Sequence, residues 1–67
     1  MEKLKNRLKE HRSARDLTQA DLAVMVTVSR KTINTIENDV FVPSTVLALR
    51  LARVLGVRVE DLFYLEE

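Results

Sequence analysis

Three hydroxyl residues, Thr18, Ser29 and Ser44, each stand directly before a short segment in which apolar residues recur at helical spacing. At such a position the side-chain oxygen accepts a hydrogen bond from a free amide of the first helical turn, so each residue marks the start of a helix. Thr18 and Ser29 are so close in sequence that the helix between them has only about two turns. The chain is therefore constrained to fold as short helices joined by tight turns.

Five helices are predicted, and no pair of strands is obvious. Leu4 and Leu8, which stand among basic residues, indicate a first amphipathic helix over about residues 3–15. The fourth helix follows Ser44 and ends at Gly56, at the position after a helix that favours glycine. The other helices cover residues 19–26, residues 30–38 and a short segment that begins near Glu60 and Asp61. The predicted fold class is all-α, in a single domain that includes all 67 residues.

The composition argues against a catalytic or metal-binding protein. The chain has no cysteine and one histidine, His11, so disulfides, thiolate zinc sites and imidazole clusters are not expected. It also lacks a glycine-rich phosphate loop and a second histidine that could activate a serine. We predict no enzyme activity, no cofactor and no metal. Association with a second copy is left as the expected source of additional stability for so small a core.

Charge is distributed unevenly along the chain. Residues 1–15 carry six basic and two acidic side chains, whereas residues 59–67 carry four acids and no base. This polarity suits a protein that turns one side towards phosphates, although a solvated helix with mixed charges explains residues 1–15 almost as well. No apolar run reaches the roughly 20 residues of a membrane span, and the first residues do not resemble a signal peptide. We therefore expect a cytoplasmic protein.

The helices predicted over residues 19–26 and 30–38 are separated by a turn of three residues, which is the helix-turn-helix arrangement. On a helical projection, Ile33, Ile36 and Glu37 share one face of the second of these helices. The opposite face is polar and carries Lys31, Asn34, Thr35 and Asn38. A short helix with so polar a face is expected to contact a molecule outside the protein.

The segments LTQADLAVMVTVSRKTINTIEND and PSTVLALRLARVLGVRVEDLF closely resemble the Cro/CI-type (XRE) helix-turn-helix family of phage and bacterial regulators. The resemblance extends from about Leu4 to Phe63. It implies a five-helix, lambda-repressor-like domain whose motif covers about residues 18–38. It also implies that the chain binds specific double-stranded DNA as a transcriptional regulator, a repressor, with residues 30–38 in the major groove.

The resemblance further implies roles for individual residues. Three groups follow from the family's pattern: base-reading residues Ser29, Arg30, Lys31, Thr32, Asn34 and Thr35; phosphate-binding residues Thr18, Gln19 and Asn38; and a structural ion pair between Arg12 and Glu37. The chemistry is consistent with these roles, because arginine and lysine favour guanine and asparagine favours adenine in the major groove. An inward-facing Glu37 would also need a partner such as Arg12.

Several positions depart from the family's pattern. Asp16, Thr27 and Asp39 stand where the family usually has glycine or another residue that tolerates a left-handed backbone, and threonine is poorly suited to that conformation. Val40 replaces a residue that is commonly basic, and Arg58 replaces a serine cap. We therefore expect strain in the turn between the second and third helices, and a weaker phosphate contact in the loop of residues 39–43.

Apolar residues exceed what five small helices need for a core, which suggests an interface. The resemblance implies a homodimer on a palindromic operator, with its two major-groove helices about 34 Å apart. The residues predicted to form the dimer interface are Leu47, Val54, Phe63, Tyr64 and Leu65. The alternative is that Phe41 and Leu65 fold back onto the monomer. A second reading of function is an antitoxin-like protein, which would bind DNA and also a partner protein.

Overall fold

The computed structural model describes residues 2–66, and Met1 and Glu67 of the predicted domain lie outside the described residues. Residues 2–66 form five helices and two strands: β1 (Lys3–Asn6), α1 (Leu8–Ala14), α2 (Gln19–Val26), α3 (Arg30–Glu37), α4 (Thr45–Leu55), α5 (Val59–Leu62) and β2 (Phe63–Glu66). The predicted bounds of α2 are confirmed, and α3 ends at Glu37, one residue before the predicted end.

The five predicted helices are present, but the all-α class holds only approximately, because residues near both ends of the described chain form strands. Residues 3–6 do not extend the first helix; they form a strand that pairs antiparallel with β2, with Leu4 opposite Leu65 and Asn6 opposite Phe63. Helix α1 starts only at Leu8, whose amide donates to the Asn6 side-chain oxygen at 3.1 Å. The spacing of Leu4 and Leu8 fits a helix locally, but the pairing with the distant β2 decides the conformation.

The caps predicted from the sequence are present. Thr18 and Asp21 form a capping box, in which each side chain accepts a bond of 2.9 Å from the other residue's amide. The Thr18 amide, which donates to the Asp21 carboxylate, and secondly the Thr18 hydroxyl lower the pKa of Asp21 below its ordinary value. Ser29 and Ser44 each accept an amide bond of 3.1 Å, and Gly56 ends α4 with a φ of 68°. At the start of α5, the Asp61 side chain accepts from the Arg58 amide at 2.9 Å, but the arginine side chain cannot accept from an amide as the family's serine would.

All three predicted left-handed positions have a positive φ: 57° at Asp16, 64° at Thr27 and 62° at Asp39. Asp and Asn tolerate this conformation through their short polar side chains, whereas a β-branched residue is crowded there. Thr27 is therefore the strained member of the three, and it lies in the turn between α2 and α3.

The core receives side chains from all five helices. Its buried members are Leu8, Leu22, Ala23, Val26, Ile33, Ile36, Leu47, Leu51, Ala52, Leu55 and Leu62. Leu22 and Ile33 have no exposed surface, so α2 and α3 are each held by an apolar inner face. Their outer faces are consequently fixed in direction relative to the body of the protein.

Candidate nucleic-acid interface

The turn between α2 and α3 is held by short-range contacts. Thr27 takes the left-handed conformation that ends α2, and the Val28 amide donates to the Ala23 carbonyl at 3.0 Å. The Val28 side chain packs against the core, and Ser29 caps α3. The two helices are therefore joined rigidly, as the helix-turn-helix prediction requires.

Helix α3 buries its apolar side and exposes its polar one. Ile33 and Ile36 lie in the core, whereas Arg30, Lys31 and Asn34 are exposed. These three side chains have hydrogen-bonding groups that a duplex could meet. The segment of residues 28–36 contains no acid. The outer face of α3 is therefore cationic and polar.

The hydroxyl residues among the predicted base-reading set already have partners. The Ser29 and Thr32 hydroxyl oxygens lie 3.0 Å apart, and the Thr35 hydroxyl donates to the Thr32 carbonyl at 3.0 Å. Ser29 is exposed, whereas Thr32 and Thr35 are half-buried. Ser29 is thus exposed at the start of α3, whereas Thr32 and Thr35 have only part of their surface open to solvent.

The predicted phosphate-binding residues lie at helix ends. Thr18 is exposed, and its hydroxyl oxygen accepts from the Asp21 amide, which leaves the hydroxyl proton for another acceptor. Asn38 is exposed at the end of α3 and donates to the Asn34 carbonyl at 2.8 Å. Gln19, the first residue of α2, is half-buried and donates from Nε2 to Glu37 Oε1 at 3.0 Å.

The ion pair between Arg12 and Glu37 is present. Arg12 Nε lies 2.6 Å from Glu37 Oε2, Arg12 Nη2 lies 3.1 Å from Oε1, and the Glu37 side chain is 4% exposed. Arg12 Nη1 also donates to the Leu17 carbonyl at 2.8 Å. The hydrogen bond to Glu37 raises the pKa of Arg12. The pair joins α1 to the end of α3, and the guanidinium compensates a nearly buried carboxylate.

A second connection to the end of α3 could not be predicted from the sequence. Asn6 Nδ2 of β1 donates to the Ile36 carbonyl at 2.9 Å and to Asp39 Oδ1 at 3.0 Å. Lys5 Nζ donates to Asp39 Oδ2 at 2.9 Å, and this bond raises the pKa of Lys5. We call these contacts the β1 tie. The only local signal for it is the left-handed Asp39; nothing near Asn6 indicates its partners.

The predicted dimer residues differ in their exposure. Leu47 lies in the monomer's own core and is only 7% exposed, so it offers little surface to a second copy. Val54 and Phe63 are half-buried against that core, whereas Tyr64 and Leu65 are exposed. Tyr64 is partly covered by the Arg7 guanidinium, 4.3 Å from its ring centre. Phe41 and Leu65 do not fold back; they remain 46% and 57% exposed.

Residues 2–66 contain neither a cluster of metal ligands nor a membrane-spanning helix. Within that range no three His, Asp or Glu side chains are grouped so that they could hold a metal ion. Nor does the described part of the chain contain a helix with the length and hydropathy needed to cross a membrane. The outer face of α3 with its flanking residues is thus the surface that concentrates the predicted site residues.

This combination of a rigid α2–α3 unit and an outward polar face agrees with a comparison against known families, in which the helix-turn-helix family matches residues 8–62. The chain belongs to that family. The resemblance inferred from the sequence is thereby confirmed. Similar proteins carry the name HTH-type transcriptional regulator, a class of proteins that generally lack enzyme activity.

Relatives share this chain over nearly their whole length. An HTH-type transcriptional regulator of Methanocaldococcus jannaschii is 45% identical over 64 residues, which are 96% of this chain and 97% of the relative. The HTH-type regulator YgzD of Bacillus subtilis is 39% identical over 64 residues, with the same two coverages. Among solved structures, the restriction-modification controller protein C.AhdI from Aeromonas hydrophila superposes with a TM-score of 0.78 at 31% identity. That match covers 82% of this chain and 83% of C.AhdI.

Proposed function

We propose that this protein binds specific double-stranded DNA, with α3 in the major groove, and represses transcription by occupying its site. The observation that carries the proposal is the outward face of α3. Arg30, Lys31 and Asn34 are exposed on a helix whose other side is buried through Ile33 and Ile36. The major groove admits one α-helix, and side chains on such a face reach base edges.

The chemistry of the exposed side chains suits base recognition. Arg30 and Lys31 would donate to the O6 and N7 acceptors of guanine, and Asn34 would form two hydrogen bonds with adenine, at N6 and N7. Ser29 lies beside them, while the half-buried Thr32 and Thr35 would supply closer and more limited contacts. These residues occupy consecutive turns of one helix, so they would read adjacent base pairs.

Phosphate contacts would fix the orientation of α3. Thr18 and Gln19 lie at the start of α2, where free amides and the helix dipole favour an anion, and Asn38 lies at the end of α3. Contacts on both sides of the reading helix would hold it in register with the two DNA strands.

The proposal also includes a homodimer on a palindromic site. Tyr64 and Leu65 of β2 are exposed, and so are Val46 and Leu49, which lie three residues apart on one side of α4. With Val54 and Phe63 contributing their remaining surface, α4 and β2 offer an apolar area for a second copy. Two-fold symmetry of the pair would match two-fold symmetry in the DNA.

The experiment that tests DNA recognition is selection of bound duplexes from a random library, followed by affinity measurements on the selected sequence. Replacing Arg30 or Lys31 with alanine should cost about 1–3 kcal/mol at particular base pairs. The control is Lys9→Ala, which removes the same charge from the exposed side of α1 and should leave the selected sequence unchanged. If Arg30, Lys31 and Thr35 can all be replaced without any change in binding, the assignment of α3 fails.

A further inference from the structure

Gln19 and Glu37 belong to one hydrogen-bonded cluster with Arg12. Glu37 Oε2 accepts from Arg12 Nε at 2.6 Å. Glu37 Oε1 accepts from Arg12 Nη2 at 3.1 Å and from Gln19 Nε2 at 3.0 Å. The carboxylate thus holds the guanidinium of α1 on one side and the side-chain amide of α2 on the other. We call these three residues the Glu37 cluster.

The carboxylate determines which way the Gln19 amide is turned. Only the NH₂ group can face Glu37, because the amide oxygen would be repelled by the carboxylate oxygens. The two N–H bonds of an amide diverge in its plane, so the second N–H is directed away from Glu37. Gln19 is half-buried and stands at the first position of α2, where its other side borders the solvent.

A DNA phosphate presents only acceptor oxygens to the protein. An amide free to rotate would offer its oxygen in one orientation, which repels a phosphate, and its N–H groups in the other. The orientation imposed by Glu37 is the one that binds. The negative charge that does this is paired with Arg12, so the cluster adds no net charge beside the phosphate.

Glu37 also stands where an acid does not help its own helix. It is the last residue of α3, and a carboxylate at a helix carboxyl end is disfavoured by the dipole. Arg12 offsets that effect. Arg12 also donates to the Leu17 carbonyl, so Glu37 is not its only partner. The contact between Glu37 and Gln19 therefore indicates a role for the acid other than pairing with Arg12.

We propose that Glu37 is a positioning residue for DNA binding: it fixes the side-chain amide of Gln19 so that its second N–H meets a backbone phosphate. The inference rests on the proposed DNA-binding function. It assigns to Glu37 an action through Gln19 in addition to its contact with Arg12.

The first test is a double-mutant cycle with Gln19→Met and Glu37→Gln, using the selected duplex and also a mixed-sequence duplex at low salt. Each single change should weaken binding roughly 10-fold, because a hydrogen bond to a charged group is lost or misdirected. In the Gln19→Met background, Glu37→Gln should cause no further loss of affinity on either duplex, because the only effect that remains is the unpaired charge of Arg12, which favours phosphate. Thermal unfolding of each variant establishes that the proteins compared are folded.

The matched control cycle combines Glu37→Gln with Lys31→Met, since Lys31 is exposed on α3 and lies outside the Glu37 cluster. In this control cycle the fold-losses in DNA affinity of the two single variants should multiply, because the two residues act independently. If the losses multiply in the Gln19 cycle as well, while the wild type binds DNA, the positioning role is wrong and the proposed function stands. If the wild type binds no duplex, both are wrong.

A second test needs only the wild-type protein and its side-chain amide spectrum. The two Gln19 amide protons, assigned by their loss in Gln19→Met, should differ, with the one bonded to Glu37 shifted downfield and slow to exchange. On addition of the duplex, the other proton should shift while the first stays in place. Loss of the first proton's shift would show that Gln19 leaves Glu37 to reach DNA, and would overturn the proposal.

Discussion

Thr27 carries a left-handed backbone on a branched side chain. Its φ is 64°, and its Cβ is crowded against the backbone in this region, at a cost of about 1–2 kcal/mol per residue. The turn between α2 and α3 requires the conformation, because the Thr27 and Val28 amides donate back to Val24 and Ala23 carbonyls of α2. The strain is therefore offset by the packing that holds the two helices together.

Replacing Thr27 with asparagine should relieve this strain. We expect the free energy of unfolding to rise by about 0.5–1 kcal/mol, because asparagine tolerates the left-handed region without the added chain entropy of glycine. Urea unfolding measures the effect, as a higher midpoint with an unchanged slope. Thr27→Val is the matched control, since it keeps the branch and should not gain stability. Equal midpoints for the asparagine variant and the wild type would contradict the presence of strain.

At the scale of elements, β1 connects parts of the fold that are distant in sequence. Asn6 donates to the Ile36 carbonyl at the end of α3 and to Asp39, while its oxygen accepts the Leu8 amide at the start of α1. Lys5 adds an exposed ion pair with Asp39, which contributes little by itself. The β1 tie thus depends mainly on Asn6.

Asn6→Ala should destabilise the protein by about 1–3 kcal/mol, because it leaves the Ile36 carbonyl and the Leu8 amide without their side-chain partner. Urea unfolding provides the measurement. Ser13→Ala, on the exposed surface of α1, is the control and should change the stability by no more than about 0.5 kcal/mol. A loss at Asn6 as small as that of the control would mean that water replaces the tie without cost.

The helices could be predicted where their signals are adjacent in sequence. The caps Thr18, Ser29 and Ser44 act on amides three residues later, so local chemistry suffices. The strand β1 could not be predicted, because Leu4 is paired with Leu65 at the other end of the chain. Its short alternating segment also fits a helical turn, and only long-range pairing distinguishes the two.

The candidate site, like the fold, could be predicted only in part from the sequence. The outward direction of Lys31 and Asn34 follows from the helical period of α3, and the structure places both on its exposed side. The pair of Arg12 and Glu37 came from the family's pattern. The bond between Gln19 and Glu37 was missed, because it depends on how α2 lies against the end of α3.

At the scale of the whole molecule, the exposed apolar surface of α4 and β2 predicts association. Sedimentation at micromolar concentration should show a dimer. Leu65→Glu should raise the dissociation constant of the dimer about tenfold or more, because it places a charge in an apolar contact. Val24→Glu, at a more exposed apolar position on α2, is the matched control and should leave the dimer intact. A wild-type protein that sediments only as a monomer would contradict the proposed dimer.

The antiparallel pairing of β1 with β2 brings Lys3 opposite Glu66. A short peptide could therefore join these positions and close the backbone into a ring with little distortion. New termini could then be opened in the exposed segment of residues 40–42, between α3 and α4. The order of the helices along the chain is in this respect separable from their arrangement in space, and a permuted chain could retain the same core.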